Sequence, residues 1–194
     1  CPYAAGRKPN QGETLIVERT ENPQWLSNAY LVADPERGTG VLIDGNDDLE
    51  PLLAKAEREG IEISHILVTH PHADHVAGLA EARAKLGNPP LVAHAETAAE
   101  LDDEVAVILA DGDKFDANGI EIEALYTPGH AAGHLALLVD GTDLFTADVL
   151  FKGTVGGTMA PGALLLPIDE RIVDGRAAKI DSCHYLQRGH LGNR

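Results

Sequence analysis

The stretch Thr69-His70-Pro71-His72-Ala73-Asp74-His75 places three imidazoles and a carboxylate within six consecutive residues. His70 and His72 are two apart on backbone stiffened by Pro71, so an extended chain points both rings to the same side. A helix beginning just after them would project Asp74 and His75 from its first turn. Nitrogen and oxygen donors without cysteine suit Zn²⁺, Fe²⁺ or Mn²⁺ rather than a structural thiolate zinc site. Hydrogen-bonded structural histidines are the plainer explanation for an isolated His, but they do not account for this spacing.

Outward from this stretch, short apolar runs alternate with turn residues. Residues 66–68 read as a buried strand that delivers Thr69 and His70. Upstream, residues 14–17, 29–32 and 41–43 read as strands, the last ending in Asp44-Gly45. Asp48 is placed to cap a helix running to about residue 59, with Gly60 as its stop. Downstream, residues 74–86 read as a helix, 91–93 as a strand and 96–101 as a short helix. Residues 105–145 are β-rich, with Asn118-Gly119 and Asp140-Gly141 as hairpin turns. Strands with intervening helices, followed by more strands, predict a layered α/β domain.

Two further features lie in the β-rich half. Thr127-Pro128-Gly129-His130 sets a histidine in a tight loop after a strand, and Asp148 follows the run Phe145-Thr146-Ala147. Each alone reads as structural; beside the histidine cluster, both read as ligands. His65, which begins an apolar strand, and His94, at a strand end, read as structural. His134, four residues after His130, reads as support for a ligand.

The chain has 194 residues, enough for one domain with a real core, and only 4% of them are aromatic. Its formal charge of −16 argues against nucleic acid or an anionic membrane as partner. Two cysteines, Cys1 and Cys183, make no disulfide framework, and a cytoplasmic setting is expected. The first residue is Cys1 rather than Met, which reads as a trimmed chain.

On the His70/His72/Asp74/His75 string, the Thr127–His130 loop and the Ala147-Asp148-Val149-Leu150-Phe151 stretch, the sequence resembles the metallo-β-lactamase-fold superfamily. Within it, the sequence is most similar to the glyoxalase II-like (hydroxyacylglutathione hydrolase-like) thioester hydrolases. The resemblance spans residues 13–163 and implies a four-layer αββα sandwich with metals at one edge between two sheets. His70, His72 and His130 would hold one metal, Asp74 and His75 a second, and Asp148 would bridge them. Two divalent ions are implied, zinc first, with iron or manganese as alternatives. Asp44 matches an acidic residue that supports the ligands from behind. The implied reaction is hydrolysis of a small thioester or ester by a metal-bound hydroxide, which Asp74 would also orient.

The match weakens toward the C-terminus, where residues 164–194 read as an atypical tail. Up to Glu170 the chain carries 10 basic and 29 acidic residues; from Arg171 on it carries 5 and 2. Arg176 stands where the family places a last histidine, and His190 or, less well, His184 would replace it. Two other functions stay open at this point. One is a mononuclear iron persulfide dioxygenase using one of the first histidines, His130 and Asp148; the other is a non-catalytic scaffold. A shortened edge also raises the expectation of a homodimer.

Overall fold

The strands with the least polar surface organise the fold. In the computed structural model, which describes residues 15–151, 154–157 and 179–181, β2 (Asn28–Asp34) and β3 (Thr39–Ile43) are buried along their whole length. Strands covered on both faces read as continuous apolar runs, which is why alternation is absent from Ala29-Tyr30-Leu31-Val32-Ala33. They sit inside a six-stranded sheet ordered β1 (Ile16–Glu21), β2, β3, β4 (Glu62–Leu67), β5 (Leu91–Ala93), β6 (Val105–Ile108). Strands β1 to β3 pair antiparallel, and β3 to β6 pair parallel.

The parallel half requires crossovers, and the helices supply them. Helix α1 (Glu50–Glu59) joins β3 to β4; α2 (Ala73–Val76) and α3 (Leu79–Lys85) join β4 to β5; α4 (Ala95–Ala98) joins β5 to β6. Leu52 and Ala56 of α1 and Leu79 and Ala82 of α3 pack on Leu31, Leu42 and Ile66 of the sheet. Asp48 does not cap α1; Leu49 occupies that position, and Asn46 Oδ1 accepts from Asp48 N at 3.1 Å instead. The helix expected over residues 74–86 is broken in two at Gly78. A Cβ there would lie 2.1 Å from the carbonyl oxygen of Asn46, so the break lets the helix pair rest against the loop after β3.

The second sheet is ordered β13 (Lys179–Asp181), β10 (Asp143–Phe145), β9 (Leu135–Val139), β8 (Ile120–Tyr126), β7 (Lys114–Ala117). Strands β7 to β10 form antiparallel hairpins, and β13 adds in parallel to β10. Asn118-Gly119 makes a two-residue hairpin turn and Asp140-Gly141 opens the three-residue connection from β9 to β10, all four residues with positive φ. The sheets face each other through Val32, Ile43 and Leu67 on one side and Ile122, Leu137 and Phe145 on the other. Tyr30 meets Phe145 edge-on, with ring centroids 4.9 Å apart.

This is the expected α/β sandwich, with a helix layer and two sheets among the described residues. Leu125, Ala136 and Leu144 lie on the outer face of the second sheet, and the fourth layer expected there falls outside the described residues. So do most of the tail, Arg176, His184 and His190. No helix among the described residues is long and apolar enough to cross a membrane.

Ile122 is fully buried between the sheets, whereas Ile108 on edge strand β6 is 49% exposed. Chemical denaturation is expected to show Ile122→Ala costing roughly 2–5 kcal/mol. Ile108→Ala should stay within about 0.5 kcal/mol of the parent.

Candidate metal centre

The parallel pairing of β3, β4 and β5 brings their C-terminal ends to one edge of the sandwich, where α/β sheets hold their ligands. Asp44 follows β3, the residue 69–75 loop follows β4, and His94 follows β5. The second sheet reaches the same edge, because Leu135 N at the start of β9 donates to Thr69 O at 2.9 Å. The loop between β8 and β9 thereby carries His130 over the first histidines, and the turn after β10 brings in Asp148.

Six side chains converge there. His70, His72 and His130 present one donor atom each within 4.8 Å of one another, as do Asp74, His75 and Asp148. His130 Nε2 lies 2.8 Å from His72 Nδ1 and 3.3 Å from Asp148 Oδ2. His75 Nε2 lies 3.2 Å from Asp148 Oδ1 and 3.7 Å from Asp74 Oδ2, so Asp148 stands between the two groups. Asp44 also groups with His70 and His75, but its oxygens are already committed. They accept from Thr69 N at 2.8 Å, from Thr69 Oγ1 at 2.7 Å and from His75 Nδ1 at 2.8 Å.

Those bonds decide which nitrogen each ring offers. The Thr69 hydroxyl gives its proton to Asp44, so its oxygen accepts from His70 Nδ1 at 3.0 Å. With Nδ1–H spent on Thr69, the lone pair of His70 is on Nε2. With Nδ1–H spent on Asp44, the nitrogen that His75 leaves to a cation is likewise Nε2. Both Nε2 atoms are buried, as is that of His134, and none makes a hydrogen bond, although that of His75 faces Asp148 Oδ1 at 3.2 Å. A buried polar atom without a partner costs about 1–3 kcal/mol, and a divalent cation is the acceptor of lone pairs that removes the cost. The imidazole and carboxylate donors present therefore fit a pair of divalent ions.

Without a metal, His75 holds a second proton, which a cation at its Nε2 would displace. Burial works against a proton on His75, yet the carboxylates of Asp44 and Asp148 outweigh it and push its pKa up to about 10. Burial likewise opposes charge on Asp148, but the His75 bond prevails and holds its carboxyl below the usual range. His70 and His72 go the other way: burial first, then the surrounding imidazoles, keep both neutral and available as donors.

The remaining histidines belong to neither group, although His134 packs against His70 with ring centroids 4.9 Å apart. His134 is buried beside His70, its Nδ1 2.9 Å from Thr127 Oγ1, and burial takes its pKa down to about 3. His94 begins α4 and stacks on Tyr126 with centroids 4.6 Å apart. His65 meets Phe115 edge-on, 4.9 Å away.

Comparison with known proteins places this arrangement. Residues 22–182 match the family described as the Metallo-beta-lactamase superfamily. This chain belongs to that superfamily. Among members of the superfamily, the hydroxyacylglutathione hydrolase of Rhodopseudomonas palustris (strain HaA2) is 39% identical over 63% of this chain and 48% of the relative. That of Ruegeria pomeroyi (strain ATCC 700808 / DSM 15171 / DSS-3) is 36% identical over 76% of this chain and 61% of the relative. The chain spans about half the length of the first of these curated relatives. The crystal structure of TTHA1623 in a di-iron-bound form is 26% identical, with a TM-score of 0.66, covering 87% of this chain and 92% of that one.

Sequence reading missed two parts of this superfamily site. Thr69 links Asp44 to His70, and its place directly before the first histidine was the available signal. Ser27, whose Oγ donates to Asp74 O at 2.8 Å, comes from the distant loop between β1 and β2 and carries no local signal.

Two predictions follow from these bonds. Asp44→Asn puts an amide where three donors converge, and is expected to weaken Zn²⁺ binding about 10–100-fold in competition titrations. Chelator-treated protein should also lose stability at both ends of the pH scale. An unfolded histidine has a pKa near 6.5, so His134, held near 3, lets stability fall as pH drops from about 6.5 toward 3. The His75 contribution is complete below about 6.5 and is lost as pH rises through about 10. Thermal melts from pH 4 to 10 measure both, and His134→Gln should flatten the acid limb.

Proposed function

We propose that this protein is a metal-dependent hydrolase of small thioesters or related esters. The observation that supports it best is the buried, unpartnered Nε2 atom of His70, set with His75 among His72, His130, Asp74 and Asp148. In this reading His70, His72 and His130 hold one cation, Asp74 and His75 hold a second, and Asp148 lies between them. Zinc is the proposed metal, since imidazole and carboxylate donors suit it. Iron and manganese accept the same donors, and TTHA1623 has been solved with two irons.

Divalent cations bound there supply Lewis-acid activation of water and of the substrate carbonyl. The chain's own residues do the rest. Asp74, half-buried and tied down through its main chain by Ser27, orients the attacking water and takes its proton. The Asp44–Thr69 and Asp44–His75 bonds keep the rings from turning as charge shifts during the reaction. A thioester suits this site because a thiolate leaves without much help from a general acid. The relatives named hydroxyacylglutathione hydrolase support the thioester class.

Elemental analysis and a thioester assay test this together. Two metal equivalents per chain are expected, with hydrolysis of a hydroxyacyl-glutathione thioester that is lost on chelation and restored by Zn²⁺. Asp74→Asn should lower kcat by about 10²–10⁴-fold, the usual weight of a positioned base. Iron alone, with oxygen consumed on a persulfide and no hydrolysis, would replace this reading with the dioxygenase. Metal-free protein without either activity would leave a scaffold.

A further inference from the structure

Asp148 stands on a turn that an L-residue backbone does not favour. Ala147, just before it, has φ +41°, in the left-handed region where a Cβ crowds the following carbonyl. Strain of this kind persists only where the surroundings over-determine it. The surroundings here are a small hairpin. Val149 N donates to Thr146 O at 3.1 Å, and Thr146 Oγ1 to Leu150 O at 3.0 Å. The chain then runs out along β11 (Leu150–Phe151) and back along β12 (Thr154–Val155). On its return, Gly156 N donates to Val149 O at 3.0 Å. A Cβ on Gly156 would lie 1.6 Å from the carbonyl oxygen of Asp148, so only glycine lets the returning strand lie on this turn.

One residue later the hairpin touches a second member of the site. His130 Nδ1 lies 2.9 Å from Gly157 O. A carbonyl oxygen only accepts, so the nitrogen facing it carries the proton. Nε2 of His130 is then the lone-pair atom, and Nε2 is the atom that faces His72 and Asp148. A ring protonated on Nε2 instead would forfeit the Gly157 bond and turn a hydrogen toward the place a cation must occupy.

We propose that the β11–β12 hairpin is a positioning clamp for the metal centre. Gly156 seats the turn that carries Asp148, and the Gly157 carbonyl sets the tautomer of His130. Two side chains that arrive from different loops at one edge of the second sheet are thereby held in one geometry by the backbone of β11, β12 and residues 156–157. The clamp rests on the reading of His130 and Asp148 as metal ligands, and it adds a structural element that aims them.

Gly156→Ala tests it, with Gly60→Ala as the comparison. Gly60 ends α1 with φ +67° and open space around it, so alanine there adds backbone strain far from the site. Chelator-treated proteins are titrated with Zn²⁺ against a chromophoric chelator, alongside far-UV melts. Gly156→Ala is expected to bind its first Zn²⁺ about 10–100-fold more weakly, while Gly60→Ala stays within about twofold of the parent. Parental affinity in Gly156→Ala, or equal weakening in both variants, overturns the clamp.

Should Gly156→Ala fail to fold, the parent decides. Nitrogen-15 spectra of histidine-labelled, metal-free protein should show the proton of His130 on Nδ1; a proton on Nε2 overturns the proposal. A parent that takes up no divalent cation defeats the functional reading and the clamp with it, whereas a cation-binding parent whose His130 proton sits on Nε2 defeats the clamp alone.

Discussion

The buried carboxylate of Asp44 is the constraint on which the rest of the site depends. It is 1% exposed and sits at φ +61°, an arrangement that would be costly were its oxygens not satisfied. Its three donors are Thr69 N, Thr69 Oγ1 and His75 Nδ1. Each is also a statement about the site: the first fixes the chain as it leaves β4, the second sets the tautomer of His70, and the third sets that of His75. The parallel pairing of β3 with β4 makes this possible, since Asp44 N donates to Leu67 O and the two strand ends lie side by side. A core decision about sheet topology thus becomes a decision about which ring nitrogen faces outward.

The second sheet repeats this logic with different chemistry. There the acceptor for a ring N–H is a main-chain carbonyl, Gly157 O, rather than a carboxylate, and the holding element is a hairpin rather than a parallel strand pair. The two sheets are joined at this edge by the bond from Leu135 N to Thr69 O and by the contact of Thr97 Oγ1 with Gly133 O at 2.8 Å. Thr97 is fully buried, so short helix α4 braces the loop bearing His130 from the side of the first sheet. The surface ion pairs, such as Lys85 with Glu50 and Glu81, lie on exposed faces where each contributes little. Rigidity at the site comes from buried hydrogen bonds and from glycines that allow backbone to touch backbone.

Much of this was legible along the chain because it is written at short range. The spacing of His70, His72, Asp74 and His75 is local, and an extended segment turning into a helix needs nothing remote to bring them together. The hairpin turns at Asn118-Gly119 and Asp140-Gly141 are legible for the same reason, since positive φ at two adjacent residues selects those side chains. The break in the helix over residues 74–86 is not legible, because it answers a contact with Asn46, some thirty residues away in sequence. The start of α1 lies one residue later than the capping pattern suggests, at Leu49, and the Asp48 main chain is instead held by its N–H donating to Asn46 Oδ1.

By itself, then, the sequence determined the kind of chemistry: imidazole and carboxylate donors, the strand that delivers them, and the α/β character of the sandwich around them. Only the tertiary structure decided which atoms are offered. Whether a histidine presents Nδ1 or Nε2 depends on the acceptor beside its other nitrogen, and here those acceptors come from Asp44, Thr69 and Gly157. Asp44 and Gly157 lie 31 and 27 residues from the rings that donate to them, and no local pattern in the chain encodes that pairing. It exists only once parallel strands and a returning hairpin have brought the backbones together.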